Sequence, residues 1–239
     1  MAHRKILWVV NYNTLADFTA MAQRAGATAV AIRSDNNLPK AIKAFDSRGI
    51  AVYAWRWPSS QEDAAMNEAN KIANLLRNDN LAGYFVDPEG APGKPYDWDR
   101  NGLEPLATEF SQTIKNAAPD KRYGVTSHYR AAKVFPKLPW KEFFALADVL
   151  LPQSYWRVGG GIVGHGIPAD NYVRGIEAWK AAGGTKKFIA PMAGEIALTK
   201  PAELREYGQA AADAQIDELH FYTAESSVSD AVWTAIAQL

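Results

Sequence analysis

Asp87 and Glu89 stand two residues apart in the run LAGYFVDPEG (81–90), where an apolar stretch of strand character gives way to Asp-Pro-Glu-Gly. Residues two apart on a strand point to the same face, so both carboxylates project together from the strand's C-terminal end. Adjacent carboxylates repel, which raises at least one pKa and is a way to make a general acid. The same residues also spell a strand-ending turn. Their meaning depends on the elements that position them.

Those elements alternate. Apolar runs at 5–11, 27–34, 50–57, 81–89, 122–129, 148–156, 187–195 and 218–225 read as strands. A helical pattern follows each one. Thr14 and Asp17 form a variant capping box before Leu15, Phe18 and Ala22, and Gly26 ends that helix. Leu38, Ala41, Ile42 and Phe45 share a second helical face, closed by Gly49. Ser60 with Asp63 is expected to cap a third helix, and Leu103, Leu106, Phe110 and Ile114 mark a fourth. Shorter patterns at 140–147 and 172–182, one opening near Pro201, and one at 228–239 complete the set. Alternating strands and helices imply parallel pairing, and eight such units in a chain of this length predict an α/β fold, a (β/α)8 TIM barrel formed as one domain over residues 1–239. An open doubly wound sheet would carry a glycine-rich phosphate turn after the first strand, where this chain has Asn11-Tyr12-Asn13.

Chemistry in such barrels sits at the C-terminal ends of the strands. Those ends supply Asn11 and Asn13, Arg33 and Asp35, Trp55 and Trp57, then Asp87 and Glu89. Later strands add Ser127, His128 and Tyr129, then Gln153, Tyr155 and Trp156, then Glu195, and finally Tyr222 and Glu225. Trp55, Trp57, Trp98 and Trp156 fall at or just beyond that face. Aromatic rings pack on the apolar faces of sugars. Carboxylates and tryptophans in one cleft point to glycosidic-bond hydrolysis, which needs an acid for the leaving oxygen and a second carboxylate as nucleophile or base. Glu89 is the acid candidate, and Asp87 or Glu195 is its partner. A separation of about 5–5.5 Å favours retention, and about 6.5–9.5 Å leaves room for an attacking water.

Other chemistries fit less well. No HxH or HExxH spacing occurs among the four histidines, so no metal or other cofactor is expected, with Asp87, Glu89 and His128 a disfavoured facial set. No G-x-S-x-G elbow is present, and no lysine lies within a strand near its C-terminal end, as a Schiff-base aldolase requires. The glycine-rich stretch 157–171 lacks the P-loop's Lys-Ser/Thr ending and reads as a mobile lid. Lysine plus arginine equals aspartate plus glutamate at 26 each, which argues against nonspecific nucleic-acid or membrane-surface binding. There is no cysteine for a disulfide framework or thiolate site. The apolar run 6–10 is too short for a signal-peptide core, so a cytoplasmic protein is expected.

The motifs AVYAWRWPSSQEDAAMNEANKIANLL, FVDPEG, YGVTSHYR and LLPQSYW resemble the glycoside hydrolase family 25 lysozymes, with a fainter likeness to the family 18 chitinase group. The resemblance covers roughly residues 50–156. It implies Glu89 as catalytic acid, Asp87 as its paired carboxylate, and Gln153 and Tyr155 as cleft residues on a carbohydrate such as a peptidoglycan-like glycan. Asn11 stands where that family carries a first-strand aspartate, and Tyr222, Thr223 and Glu225 occupy the place of a late one. A noncatalytic glycan-binding barrel is therefore the alternative expectation.

Overall fold

In a computed structural model that describes residues 3–78 and 80–239, the chain winds through eight strand–helix units. Met1 and Ala2 of the basic N-terminal flank, and Asp79, lie outside the described residues. Strands β1 (Arg4–Val9), β2 (Ala29–Arg33), β3 (Ala51–Arg56), β4 (Gly83–Val86), β5 (Arg122–His128) and β6 (Val149–Gln153) pair in sequence order, all parallel. A small antiparallel hairpin, β7 (Arg157–Val158) and β8 (Gly161–Ile162), stands apart. The seventh barrel strand comes in two pieces. β9 (Phe188–Ile189) pairs with β6, and β10 (Met192–Ala193) pairs with β11 (Glu218–Phe221), which returns to β1. Pro191 lies between the pieces and has no N–H to donate, which accounts for the interruption.

Helices α1 (Leu15–Arg24), α2 (Leu38–Asp46), α3 (Glu62–Asn78), α4 (Glu104–Ala117), α5 (Trp140–Ala145), α6 (Pro168–Trp179), α7 (Pro201–Asp213) and α8 (Asp230–Gln238) surround the ring. Their buried faces follow the expected periodicity, as with Leu38, Ala41, Ile42 and Phe45 on α2. Thr14 caps α1 by accepting a hydrogen bond from the Asp17 N–H at 3.1 Å. Two boundaries differ from expectation. Ser60 does not cap α3: it is buried, its N–H and hydroxyl both donate to the Pro95 carbonyl, and Ser59 accepts from the Gln61 N–H instead. Helix α6 begins at Pro168 rather than near Tyr172, because proline's fixed φ and missing N–H suit a first helical position. No helix among the described residues is long and apolar enough to cross a membrane.

Inside the ring, side chains two apart on each strand build a column of polar and aromatic groups. At its base Glu218 pairs with Arg122 and, at 3.6 Å, with Arg4, whose guanidinium also donates to the Tyr53 hydroxyl. Burial alone would raise the Glu218 pKa, but hydrogen bonds from His220 and Arg122 bring it down to about 2. Trp8 Nε1 donates to His220 Nδ1 at 3.0 Å, which fixes the proton on Nε2, 2.8 Å from Glu218 Oε1. Phe85 stacks between Trp8 and Tyr53, with ring centroids at 5.2 and 4.7 Å. Gly124 has to be glycine, since a Cβ there would sit 2.7 Å from the Phe85 ring. The column ends at Trp8, on the floor of the cavity above.

Candidate active site

The backbone stays extended past the end of β4, which is why Asp87 and Glu89 face the same way. The Asp87 N–H donates to the Arg56 carbonyl at 2.7 Å, continuing the ladder with β3. The Pro88 carbonyl accepts from Ser127 Oγ at 2.7 Å, and the Glu89 carbonyl accepts from the Trp98 N–H at 2.7 Å. Gly90 allows the loop to turn tightly here, for a Cβ would lie 2.4 Å from the Phe135 ring. The two carboxyl groups hydrogen-bond each other. Gln153 Nε2, from the end of β6, donates to Asp87 Oδ1 at 2.9 Å and reaches Glu89 Oε1 at 3.4 Å.

This pair is held out of water, and Asp87 is only 6% exposed. Burial, followed by the charge and hydrogen bond of Glu89, pushes the Asp87 pKa well above the carboxylate range. Burial likewise raises Glu89 to about 7, against the lowering effect of hydrogen bonds from Asp87 and Gln153. Two buried carboxyls sharing one proton are the arrangement that keeps an acid loaded near neutral pH.

Above the pair opens a cavity of about 440 Å³. Trp8, Trp55 and Trp57 form one wall, with Trp55 anchored through Nε1 to the Val9 carbonyl at 3.0 Å. Tyr155 and Tyr222 stack beside them, centroids 5.5 Å apart and planes within 11° of parallel, and Tyr222 meets Trp55 edge-on at 6.1 Å. His128 and Tyr129 stack at 5.0 Å. His128 Nδ1 accepts from the Arg130 N–H at 3.1 Å, and burial, then the Arg130 charge, lowers its pKa to about 4, so the ring is neutral at physiological pH. Glu195 also lines the cavity, but its carboxylate accepts from the Gly159 N–H at 3.0 Å in the β7–β8 turn. The Gly194–Glu195 and Tyr222–Thr223 peptides are cis.

Four residues expected at the cleft lie elsewhere. Trp98 is fully buried outside the barrel mouth, donating to the Pro58 carbonyl at 2.9 Å and packing edge-on against Phe143. Trp156 is also fully buried, its Nε1 3.2 Å from Glu203 and its ring against Tyr207. Tyr155 lines the cavity, and its neighbour Trp156 is turned towards the helical layer instead. Asn11 accepts from Arg33 at 2.9 Å and lines, with Tyr12, Asn13 and Glu225, a separate pocket of about 170 Å³. Trp8, Thr126, Met192, Tyr96, Val158 and Val163 line the main cavity although strand-end reading does not select them. For Trp8 the signal was available: on β1 it shares a face with Arg4, one layer below the strand end. Tyr96, Val158 and Val163 come from connecting segments, where no periodicity predicts direction.

The stretch expected to be a lid carries the β7–β8 hairpin. Gly159 and Gly160, at φ +55° and +82°, form the two-residue turn, which requires positive φ at both positions. Arg157 pairs with Glu203 on α7, and the Arg157 carbonyl accepts from the Glu195 N–H at 2.9 Å, so the hairpin is tied down at its base. Among the described residues no three histidine or carboxylate side chains are grouped to hold a metal ion.

The barrel matches solved structures over nearly its whole length. A chitinase from Chromobacterium violaceum ATCC 12472 superposes with a TM-score of 0.67 at 14% identity, covering 99% of this chain and 98% of that one. The likeness is one of fold. A psychrophilic glycoside hydrolase family 10 endo-β-1,4-xylanase gives 0.62 at 12% identity, covering 97% and 96%. A β-1,4-D-mannanase from Cryptopygus antarcticus gives 0.62 at 9% identity, covering 99% and 90%. No family model and no curated protein matches the sequence.

Proposed function

We propose that this barrel hydrolyses glycosidic bonds, with Glu89 as general acid, held protonated by burial, and Asp87 as its hydrogen-bonded, proton-sharing neighbour. The observation that carries this reading is the buried, hydrogen-bonded Asp87–Glu89 pair at the floor of a cavity walled by tryptophans and tyrosines. Glu89 at about pKa 7 delivers a proton to the departing glycosidic oxygen, and the aromatic walls take the apolar faces of the sugars. Gln153 positions both carboxyls. Glu195, on the same cavity, is the second candidate partner for the opposite face of the sugar ring. The shared barrel of a chitinase, a xylanase and a mannanase supports the class of chemistry. The resemblance of residues 50–156 to the lysozyme family favours a peptidoglycan-like glycan.

Glu89→Gln is expected to abolish release of reducing ends from the polysaccharide that the unsubstituted protein cleaves, across a panel of chitin, xylan, mannan and bacterial cell wall. Its thermal melt at acid pH should match the parent. Cleavage undiminished in that variant removes Glu89 from the mechanism. Saccharide binding by the unsubstituted protein, with no product after prolonged incubation, would leave a binding barrel instead.

A further inference from the structure

Beyond Tyr129 lies a second depression of about 540 Å³, walled by Arg130 and Lys133 on one side and by Arg174 and Glu177 of α6 on the other. It adjoins the carboxylate cavity: Tyr129 lines both, and the consecutive residues Val163 and Gly164 face one each. Three cations and one carboxylate line this trough, in a chain whose charges balance overall. Arg174 is committed to Asp170 at 2.9 Å. Arg130 and Lys133 are exposed, and their side chains have no ion-pair or hydrogen-bond partner among the described residues. A guanidinium and an ammonium left unpaired beside a ligand cavity suit an oxyanion, which accepts hydrogen bonds from both. They offer much less to a neutral sugar.

The polarity of the two hollows sorts a ligand's groups. The proton-sharing Asp87–Glu89 pair and Glu195 give the main cavity a negative bias that disfavours an anion there, while Arg130 and Lys133 attract one just outside it. We propose that the trough receives the acidic substituent of a carboxylate- or sulfate-bearing glycan whose neighbouring sugars occupy the carboxylate cavity. This rests on the glycan-cleaving reading and narrows it to acidic glycans, bound in one direction along the cleft.

The test uses the full-length Glu89→Gln protein, so that ligands survive, and three tetrasaccharide probes titrated by calorimetry at low and high salt. Chitotetraose is neutral, a hyaluronan tetrasaccharide carries carboxylates, and a chondroitin sulfate tetrasaccharide carries carboxylates and sulfate. At least one acidic probe is expected to bind about tenfold tighter than chitotetraose at low salt, and the advantage should shrink as salt rises. Which acidic probe is preferred tells carboxylate from sulfate recognition. Adding Arg130→Ala and Lys133→Ala should erase the advantage while chitotetraose affinity and the melting temperature stay unchanged. Equal binding of all three probes, equal loss of all three in the double substitution, or an acidic advantage that survives it overturns the assignment. Should chitotetraose alone bind, the trough assignment falls and the glycan reading stands. Absence of binding by every probe overturns the trough, and failure of the wider polysaccharide panel as well removes the glycan reading.

Discussion

At the scale of single residues, burial decides what Asp87 and Glu89 are. Exposed carboxylates at a strand end would both be ionised at neutral pH, whereas here both pKa values are raised and Glu89 reaches about 7. Cleavage is therefore expected to fall as pH rises through about 7, which a pH profile of kcat/KM checks. The same shift has a stability consequence. A carboxyl whose pKa is raised by folding contributes stability that is fully present below its ordinary value of 4.5 and is lost as pH rises through the folded value. Above pH 7 the parent thus forgoes roughly 3 kcal/mol that a permanently neutral side chain keeps. Glu89→Gln should accordingly unfold at higher urea than the parent at pH 8.5, and the gap should close at pH 4. An unchanged difference between the two pH values would mean that Glu89 is not held protonated. Little of this was visible in the sequence: the spacing put the two carboxylates on one face, but nothing local said how dry that face would be.

At the scale of elements, the β7–β8 hairpin bounds the cleft and is held by few ties. Arg157 makes two Nε contacts of 3.1 and 3.2 Å to the Glu203 carboxylate, which also takes the Trp156 Nε1–H and the Lys200 N–H. Removing Arg157 leaves Glu203 with its other donors, so Arg157→Ala should cost only about 1–2 kcal/mol globally. Local opening is a separate quantity. Amide exchange over residues 157–163 is expected to quicken in that variant, read by hydrogen-exchange mass spectrometry, while exchange in β4 and β5 stays as in the parent. The strands and helices themselves were legible from periodicity because their apolar residues repeat within a few positions. The exceptions are instructive. Ser60 has the composition of a cap, yet it bonds to Pro95, thirty-five residues away, and Arg100 Nη2 donates to its hydroxyl at 2.9 Å. Trp156 sits at a strand end and still faces the helices, while Tyr155 holds the inward position.

At the scale of the whole molecule, the barrel is joined from base to mouth by the Arg122–Glu218–His220–Trp8 chain, with Trp8 under the cavity. Glu218 is ionised down to about pH 2, where its stabilisation is lost as pH falls from its ordinary 4.5. Glu218→Gln removes the buried anion from half-buried Arg122 at every pH above that, a loss of about 3 kcal/mol, the low end for a broken buried pair. Urea unfolding at pH 7 should show that loss, and the difference from the parent should narrow towards pH 2.

What the sequence determined by itself was the barrel and the shortlist of its mouth. Eight strand–helix alternations are local patterns, the two-residue period of a strand puts Asp87 and Glu89 on one face without any knowledge of neighbours, and strand-end position adds Gln153 and Tyr155 to the mouth. Only the tertiary structure decided how those faces meet. It brought Gln153 across from β6 to the carboxylate pair, set Trp8 beneath them, turned Trp98 and Trp156 into the helical layer, and moved Asn11 and Glu225 to another pocket. It also placed Arg130 and Lys133 in a net-positive trough beside an acidic cavity. The reason is physical. Periodicity is fixed within one segment, whereas burial, shared protons and charge complementarity belong to groups that adjoin only once the ring has closed.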